Sequence, residues 1–253
     1  IHLSKPFGGT NYKVEEITKY KLKTEEDELD LDKINEKVLN ILKIILPIKT
    51  KGKGDILIFL PGRNEITKLM KLINEQIPAK NILAIPFYRQ MDNYSRLEIV
   101  EKIAGDNVRH KITNPKNIEL GSYVHDGERV KEGTYNRFII LATNIAEASI
   151  TIDSLAFVID TGIEKISKYN YSIKENVLET EMISKPSATQ RKGRIGRTQA
   201  GSVYYTYDVD KLKEVVFYKI CIENISEHVI KLFTGKNNKL IDNFLETIHA
   251  ERN

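Results

Sequence analysis

Four short apolar runs constrain this chain more than any other feature. DILIFLP (55–61), ILAIPF (82–87), FIILA (138–142) and LAFVID (155–160) are each too short for a buried helix and are rich in isoleucine, leucine, valine and phenylalanine. They are also apolar at consecutive positions rather than at every second one, the pattern of a strand covered on both faces. Between the first two lies a segment with Ile66, Leu69, Met70, Ile73 and Ile77 at helical spacing. Strands of this kind alternating with amphipathic helices predict a parallel α/β sheet flanked by helices. About thirteen residues separate the last two runs, enough for a parallel crossover.

The remaining segments fit around that sheet. VEEITKYKLK (14–23) alternates and predicts a first strand; Leu31, Ile34, Val38, Ile41, Leu42 and Ile45 predict a helix after it. KTKGKG (49–54) reads as a solvated basic turn, without the G-x-x-x-x-G-K-[ST] spacing of a phosphate loop. Residues 93–103 read as helical. Residues 104–134 are polar and carry Asn114-Pro115, Gly121 and Asp126-Gly127, so they read as an insertion, with SYVHDGERV as a small hairpin. YNYSIKENVLETEMI reads as a longer hairpin, GSVYYTYD as a last strand, and 210–234 as helical.

The chain has 253 residues, of which 41% are hydrophobic and 29% charged, the profile of a globular protein. Its formal net charge is only +4, so any affinity for nucleic acid must come from local charge rather than the total. No apolar run reaches the ~18 residues of a spanning helix, so no membrane partner is expected. One cysteine, Cys221, excludes an internal disulfide and suits a reducing, intracellular compartment. No histidine stands at zinc-ligand spacing with it, so no metal site is expected here.

In open α/β sheets, ligands bind beyond the carboxyl ends of the strands. Just past FIILA comes TNIAEAS, with a hydroxyl, an amide and the backbone donors of a helix start. Such groups suit a phosphate oxygen, and they equally suit an ordinary helix cap. SATQRKGRIGRTQAGS (187–202) is more specific, with three arginines, a lysine and three glycines in one stretch. Ser187 as N-cap with Gln190 three residues on would form a capping box. A helix from there would align Gln190, Arg194 and Arg197 on one face as a clamp for a polyphosphate. The alternative is a solvated basic face.

QRKGRIGR resembles motif VI of superfamily 2 helicases, QRxGRxGR, in its DEAH/RHA form. ATNIAEASITIDSLAFVIDTG is similar to motif V of the same family, DILIFLPGRNEI resembles motif IV, and ISKPSATQR resembles the approach to motif VI. The motifs stand in family order. NYKVEEIT (11–18) resembles the opening of the second RecA-like domain, and FYKICIENISEHVIKLF (217–233) resembles the helix that leads into a winged-helix domain.

The resemblance implies a RecA-like fold over 1–208, with a β-hairpin after motif V and the 104–134 insertion. It implies that 209–253 begin the following helical or winged-helix region. It implies an ATP-dependent RNA helicase of which this is the C-terminal motor domain, with Gln190, Arg194 and Arg197 acting on the γ-phosphate as catalytic residues. Thr151, Asp153 and Gly193 are implied at the nucleotide, Thr143, Asn144 and Arg63 at the RNA backbone, and Ser149 between the two sites. Arg191 and Lys192 lie off the finger face and read as packing or salt-bridge residues. Tyr169 and Tyr171, on the hairpin, read equally as base-stacking groups and as ordinary strand aromatics.

The chain departs from the family in lacking a Walker A loop and a DEAH box. TEEDELD (24–30) is acidic but has no apolar strand before it, and Arg63 stands where glutamine is common. ATP and Mg²⁺ are therefore expected in a longer protein, with the Mg²⁺ ligands outside this chain. An N-terminal RecA-like domain in cis is the expected partner, with single-stranded or partly duplex RNA. The fragment alone is expected to be inactive. Members with such departures occur among large DNA viruses. A second reading is a non-catalytic RNA-binding or scaffold module descended from a helicase domain.

Overall fold

A computed structural model describes residues 12–50, 54–77, 82–89, 111–112, 133–134, 137–149, 152–170 and 172–214. Its centre is a six-stranded sheet in the order β1-β10-β7-β2-β6-β3, with every neighbouring pair parallel. The strands are β1 (Val14–Ile17), β2 (Asp55–Phe59), β3 (Ile82–Phe87), β6 (Arg137–Ala142), β7 (Leu155–Asp160) and β10 (Gly201–Tyr205). The four apolar runs are thus four of these strands, and β2, β6 and β7 are buried at every residue. Helices cover the sheet: α1 (Glu25–Leu29), α2 (Leu31–Ile45), α3 (Arg63–Gln76), the single turn α4 (Ala146–Ser149) and α5 (Lys185–Lys192).

Local sequence explains the main helices. Asp30 caps α2 by accepting from the Asp32 and Lys33 N–H groups, and Ile34, Val38, Ile41, Leu42 and Ile45 then fall on one buried stripe. Burying each such side chain contributes about 1.5–3 kcal/mol. At its other end α2 is stopped by a distant residue. The Arg137 guanidinium donates to the carbonyls of Ile45, Leu46 and Ile48, satisfying acceptors that a helix end leaves open. Asp55, fully buried at the start of β2, reaches both neighbouring strands, accepting from the Phe138 N–H at 2.8 Å and from the Ser154 hydroxyl.

Two small antiparallel sheets leave the main one. β8 (Ile163–Asn170) and β9 (Glu175–Met182) form the long hairpin, which begins earlier than the sequence pattern implied. β4 (Lys111–Ile112) and β5 (Gly133–Thr134) pair within the 104–134 stretch. The other expectations within that stretch, like the 93–103 helix and the segment after 214, lie outside the described residues. The first strand is shorter than expected and ends at Ile17, where Thr18–Lys21 turns through a 3.1 Å Lys21 N–H bond to the Thr18 carbonyl. At 209–211 the chain makes a single 3₁₀ turn rather than opening an α-helix.

The chain order places the candidate site. From β2 it runs through α3 out to the edge strand β3, returns to β6 beside β2, and crosses by α4 to β7 on the other side of β2. The carboxyl ends of β2, β6 and β7 therefore surround a topological switch point, where ligands of such sheets bind.

Candidate nucleotide and nucleic-acid site

At the crossing stands a buried charge network. Asp160 ends β7 fully buried, and Arg191 of α5 is fully buried beside it, with Nη1 to Oδ1 at 2.8 Å. The same guanidinium donates through Nε to Glu147 Oε1 of α4 at 2.7 Å and lies over the Phe59 ring at 4.8 Å. Tyr207 donates to the other Asp160 oxygen at 2.9 Å, and the Ser187 hydroxyl donates to Glu147 at 2.8 Å. Burial alone would lower the Arg191 pKa, but Asp160 and Glu147 outweigh it and the net shift is upward. Burial, then Asp160, pushes the Tyr207 phenol upward. Both groups keep their protons at any physiological pH. The reading of Arg191 as a salt-bridge residue matches this geometry, and Lys192 likewise pairs with Glu16 at 2.9 Å.

The structure corrects the local geometry expected for the arginine segment. The N-cap of α5 is Ser184, not Ser187, with Pro186 in the first turn, where its missing N–H costs nothing. Ser187 is then free of capping duty, and its hydroxyl goes to Glu147. The helix ends at Lys192, with Gly193 as C-cap, so Gln190, Arg194 and Arg197 do not share one continuous helical face. Gly196 has φ +75°, a left-handed turn that side chains with a Cβ rarely adopt. The helix thus ends before Arg194, Gly196 turns the chain between the two arginines, and the guanidiniums turn back on it. Arg194 Nε donates to the Gln190 carbonyl at 3.4 Å and Arg197 Nε to the Gly193 carbonyl at 2.9 Å. Gln190 is exposed, and both arginines are half-buried. Burial, then the like charge of Arg197, lowers the Arg194 pKa, so the two cations feel each other. Two guanidiniums repelling at a half-buried surface fit a polyanion.

The remaining candidates divide around the switch point. Thr143, half-buried, follows β6, and its N–H donates to the Phe87 carbonyl at the end of β3. Asn144 is exposed, and its amide donates to Glu164 Oε2 at 3.3 Å. Glu164 was not anticipated from sequence. Burial, above all, raises its pKa, with Arg191 opposing and Glu147 adding to the rise. Arg63 opens α3 with its guanidinium 5.7 Å from the Tyr88 ring centroid. Ser149 closes α4.

Asp153 is exposed in the turn before β7, at the amino ends of the strands, and its carbonyl accepts from Thr198 one residue past Arg197. Gln199 Nε2 donates to the neighbouring Ser154 carbonyl at 2.9 Å. Thr151 and Tyr171 lie outside the described residues, and Tyr169 is half-buried on β8. The structure thus gathers Thr143 and Asn144 at the carboxyl ends of the strands and links Asp153 to the tail of the arginine segment. Nothing in sequence flags Glu147 and Asp160 as partners of Arg191, or Tyr207 as a partner of Asp160, because separations of 31–47 residues carry no periodic signal.

Among the described residues no helix is long and apolar enough to cross a membrane. No group of three or more histidines, cysteines or carboxylates among them stands ready to hold a metal ion.

Comparison with known proteins is consistent in kind. No protein-family model matches the chain. A protein of Acanthamoeba polyphaga mimivirus that bears the name of an ATP-dependent RNA helicase is 36% identical over 245 residues, which cover 94% of this chain and 13% of that protein. The ATP-dependent RNA helicase HrpA of Borreliella burgdorferi is 37% identical over 175 residues, 69% of this chain and 17% of that one. Among solved structures, a DEAH/RHA helicase HrpB of Escherichia coli superposes with a TM-score of 0.63 at 20% identity, covering 90% of this chain and 25% of its own. That last likeness is one of fold. The chain spans 13–17% of the length of these two curated relatives.

Proposed function

The chain belongs by homology among the DEAH/RHA-type ATP-dependent RNA helicases, and we propose that it is the second RecA-like, C-terminal motor domain of such an enzyme. In this reading a first RecA-like domain of the same polypeptide holds ATP and Mg²⁺ against it, and the ion's ligands belong to that domain. Gln190, Arg194 and Arg197 close on the γ-phosphate from this side. Thr151, Asp153 and Gly193 line the nucleotide. Thr143, Asn144 and Arg63 contact the backbone of single-stranded or partly duplex RNA, with Ser149 between the two sites.

The paired Arg194 and Arg197 carry the reading. They stand where the sequence resembles motif VI, both are half-buried, and burial, then the charge of Arg197, lowers the Arg194 pKa. A guanidinium holds its charge and offers a planar fork to phosphate oxygens. Two of them meeting negative charge that grows in the transition state stabilise it more than they stabilise bound ATP. Such a finger contributes roughly 10³–10⁵ in rate. The Glu147–Arg191–Asp160 network joins α4, which follows the proposed RNA contacts Thr143 and Asn144, to α5, which leads into the turns that carry Arg194 and Arg197. It is a rigid route by which one side can set the other.

The test is kinetic. In the full-length protein, Arg194→Ala and Arg197→Ala should each lower ATP turnover by about a hundredfold or more, with RNA affinity nearly unchanged. Normal turnover in both variants removes the arginines from the catalytic site and leaves the scaffold reading in place. The isolated chain should show no turnover.

A further inference from the structure

Residues 12–16 bring the chain into the sheet, and they hold the arginine segment at Lys192, Gly196 and Gly201. The Tyr12 N–H donates to the Gly196 carbonyl at 3.0 Å, and Gly196 sits between Arg194 and Arg197. Four residues on, Glu16 Oε1 accepts from Lys192 Nζ at 2.9 Å, at the end of α5 just before the turns that carry the arginines. The second Glu16 oxygen accepts from the Tyr205 hydroxyl at 2.9 Å. Burial would raise the Glu16 pKa, but the bonds from Lys192 and Tyr205 outweigh it and hold the carboxyl below its usual range. Between these grips, the Lys13 carbonyl accepts from the Gly201 N–H at 3.2 Å, where β10 begins.

The gripped segment needs such support. After Lys192 it runs through turns with no regular ladder until Gly201, and it contains two of the residues with the largest backbone freedom, Gly193 and Gly196. A catalytic group displaced by ~1 Å can lose about a hundredfold in rate. Whatever fixes the carbonyl between two arginines therefore acts on their placement.

We propose that residues 12–16 are a positioning strap for the arginine loop, acting through the Tyr12 N–H on Gly196 and through Glu16 on Lys192. Neither residue touches nucleotide. Their work is to hold Arg194 and Arg197 where the γ-phosphate will stand, so that tension on the chain upstream of Tyr12 reaches the catalytic loop directly. The proposal rests on the arginine-finger reading given above.

The experiment uses the full-length protein. Tyr12→Pro deletes the N–H donor, and Tyr12→Phe keeps it as a control. Glu16→Gln removes the negative charge that faces Lys192, and a Glu16→Lys, Lys192→Glu double variant restores a pair of reversed sign. An ion pair this exposed contributes little to stability, so its loss leaves the fold standing. The expected result is a fall in kcat of about three- to tenfold for Tyr12→Pro and Glu16→Gln, with unchanged KM for ATP and unchanged RNA affinity. The melting temperature should hold for Glu16→Gln, the Tyr12→Phe rate should be normal, and the reversed pair should recover part of the loss.

Normal kcat in Glu16→Gln together with a normal reversed pair overturns the strap, whether or not Tyr12→Pro folds. So does a loss that vanishes once rates are scaled to the folded fraction. If Arg194→Ala and Arg197→Ala themselves turn over normally, the finger reading has failed, and the strap fails with it. If those two variants are dead while Glu16→Gln is normal, the fingers stand and only the strap is wrong.

Discussion

Arg191 and Asp160 meet at 2.8 Å with both side chains fully shielded from water, 31 residues apart in the chain. The pair sits where the helix carrying the arginine segment crosses the end of β7. Its guanidinium serves two carboxylates and a carbonyl at once, reaching Glu147, Asp160 and Ile163. Desolvating three charges is expensive, and the Coulomb energy recovered in so dry a place roughly offsets it. Removing one member is different, because it strands the others.

Arg191→Met should therefore destabilise the chain by about 3–5 kcal/mol, since Asp160 would remain fully buried, and Glu147 partly buried, without their cation. Arg191→Lys should rescue only part, because an ammonium cannot fork to two acceptors in one plane. Chemical denaturation of the three proteins measures both effects. A loss below about 1 kcal/mol for Arg191→Met would mean that water reaches the network.

Arg137→Ala should loosen the end of α2 without touching its apolar stripe. The guanidinium donates to the carbonyls of Ile45, Leu46 and Ile48, and alanine would remove all three bonds, leaving Ile45 with its 2.9 Å bond from the Ile48 N–H. A cost of about 1–3 kcal/mol follows from those lost charged bonds. Amide exchange should accelerate in the last turn of α2 ahead of its first. Uniform acceleration along α2 would refute a local capping role.

Glu164 should make stability depend on pH. Burial raises its pKa in the folded state, so the folded chain binds its proton more tightly than the unfolded chain does. Stability from this group is then complete below the ordinary carboxylate pKa of 4.5 and declines as pH rises from there through the raised folded value. Glu164→Gln should raise the melting temperature at pH 7 and leave it nearly unchanged at pH 4. An equal shift at both pH values would show that charge is not the cause.

Asn144→Ala and Arg63→Ala should weaken RNA binding by the full-length protein in distinguishable ways. Contacts to phosphate carry no sequence information, so both losses should be similar across RNA sequences. Asparagine is neutral and releases no counterion, so the salt dependence should keep its slope in Asn144→Ala. In Arg63→Ala the slope should fall by about one unit. Filter binding over a range of salt concentrations decides each. A loss confined to one RNA sequence would argue for base reading instead.

The fold was legible from the sequence because its signal is local. β2, β6 and β7 are buried on both faces, so each is apolar at consecutive positions, with a charged residue only at one end: Asp55, Arg137 and Asp160. α2 declares itself in the same way, through a stripe at helical spacing after Asp30. The family motifs were legible as strings of residue types, and so the roles proposed for Gln190, Arg194 and Arg197 could be named before any geometry. Their arrangement could not. Helical periodicity put the three on one face, whereas the helix ends before Arg194 and Gly196 turns the chain between the two arginines. A glycine in sequence marks freedom, and only the surrounding contacts choose among the conformations that freedom allows. The same holds for charge. Nothing about Glu147, Asp160, Glu164 or Glu16 as isolated letters separates them from solvated carboxylates. Each acquires its partner only when strands and helices far apart in the chain are packed together, and burial then sets the strength of the field between them.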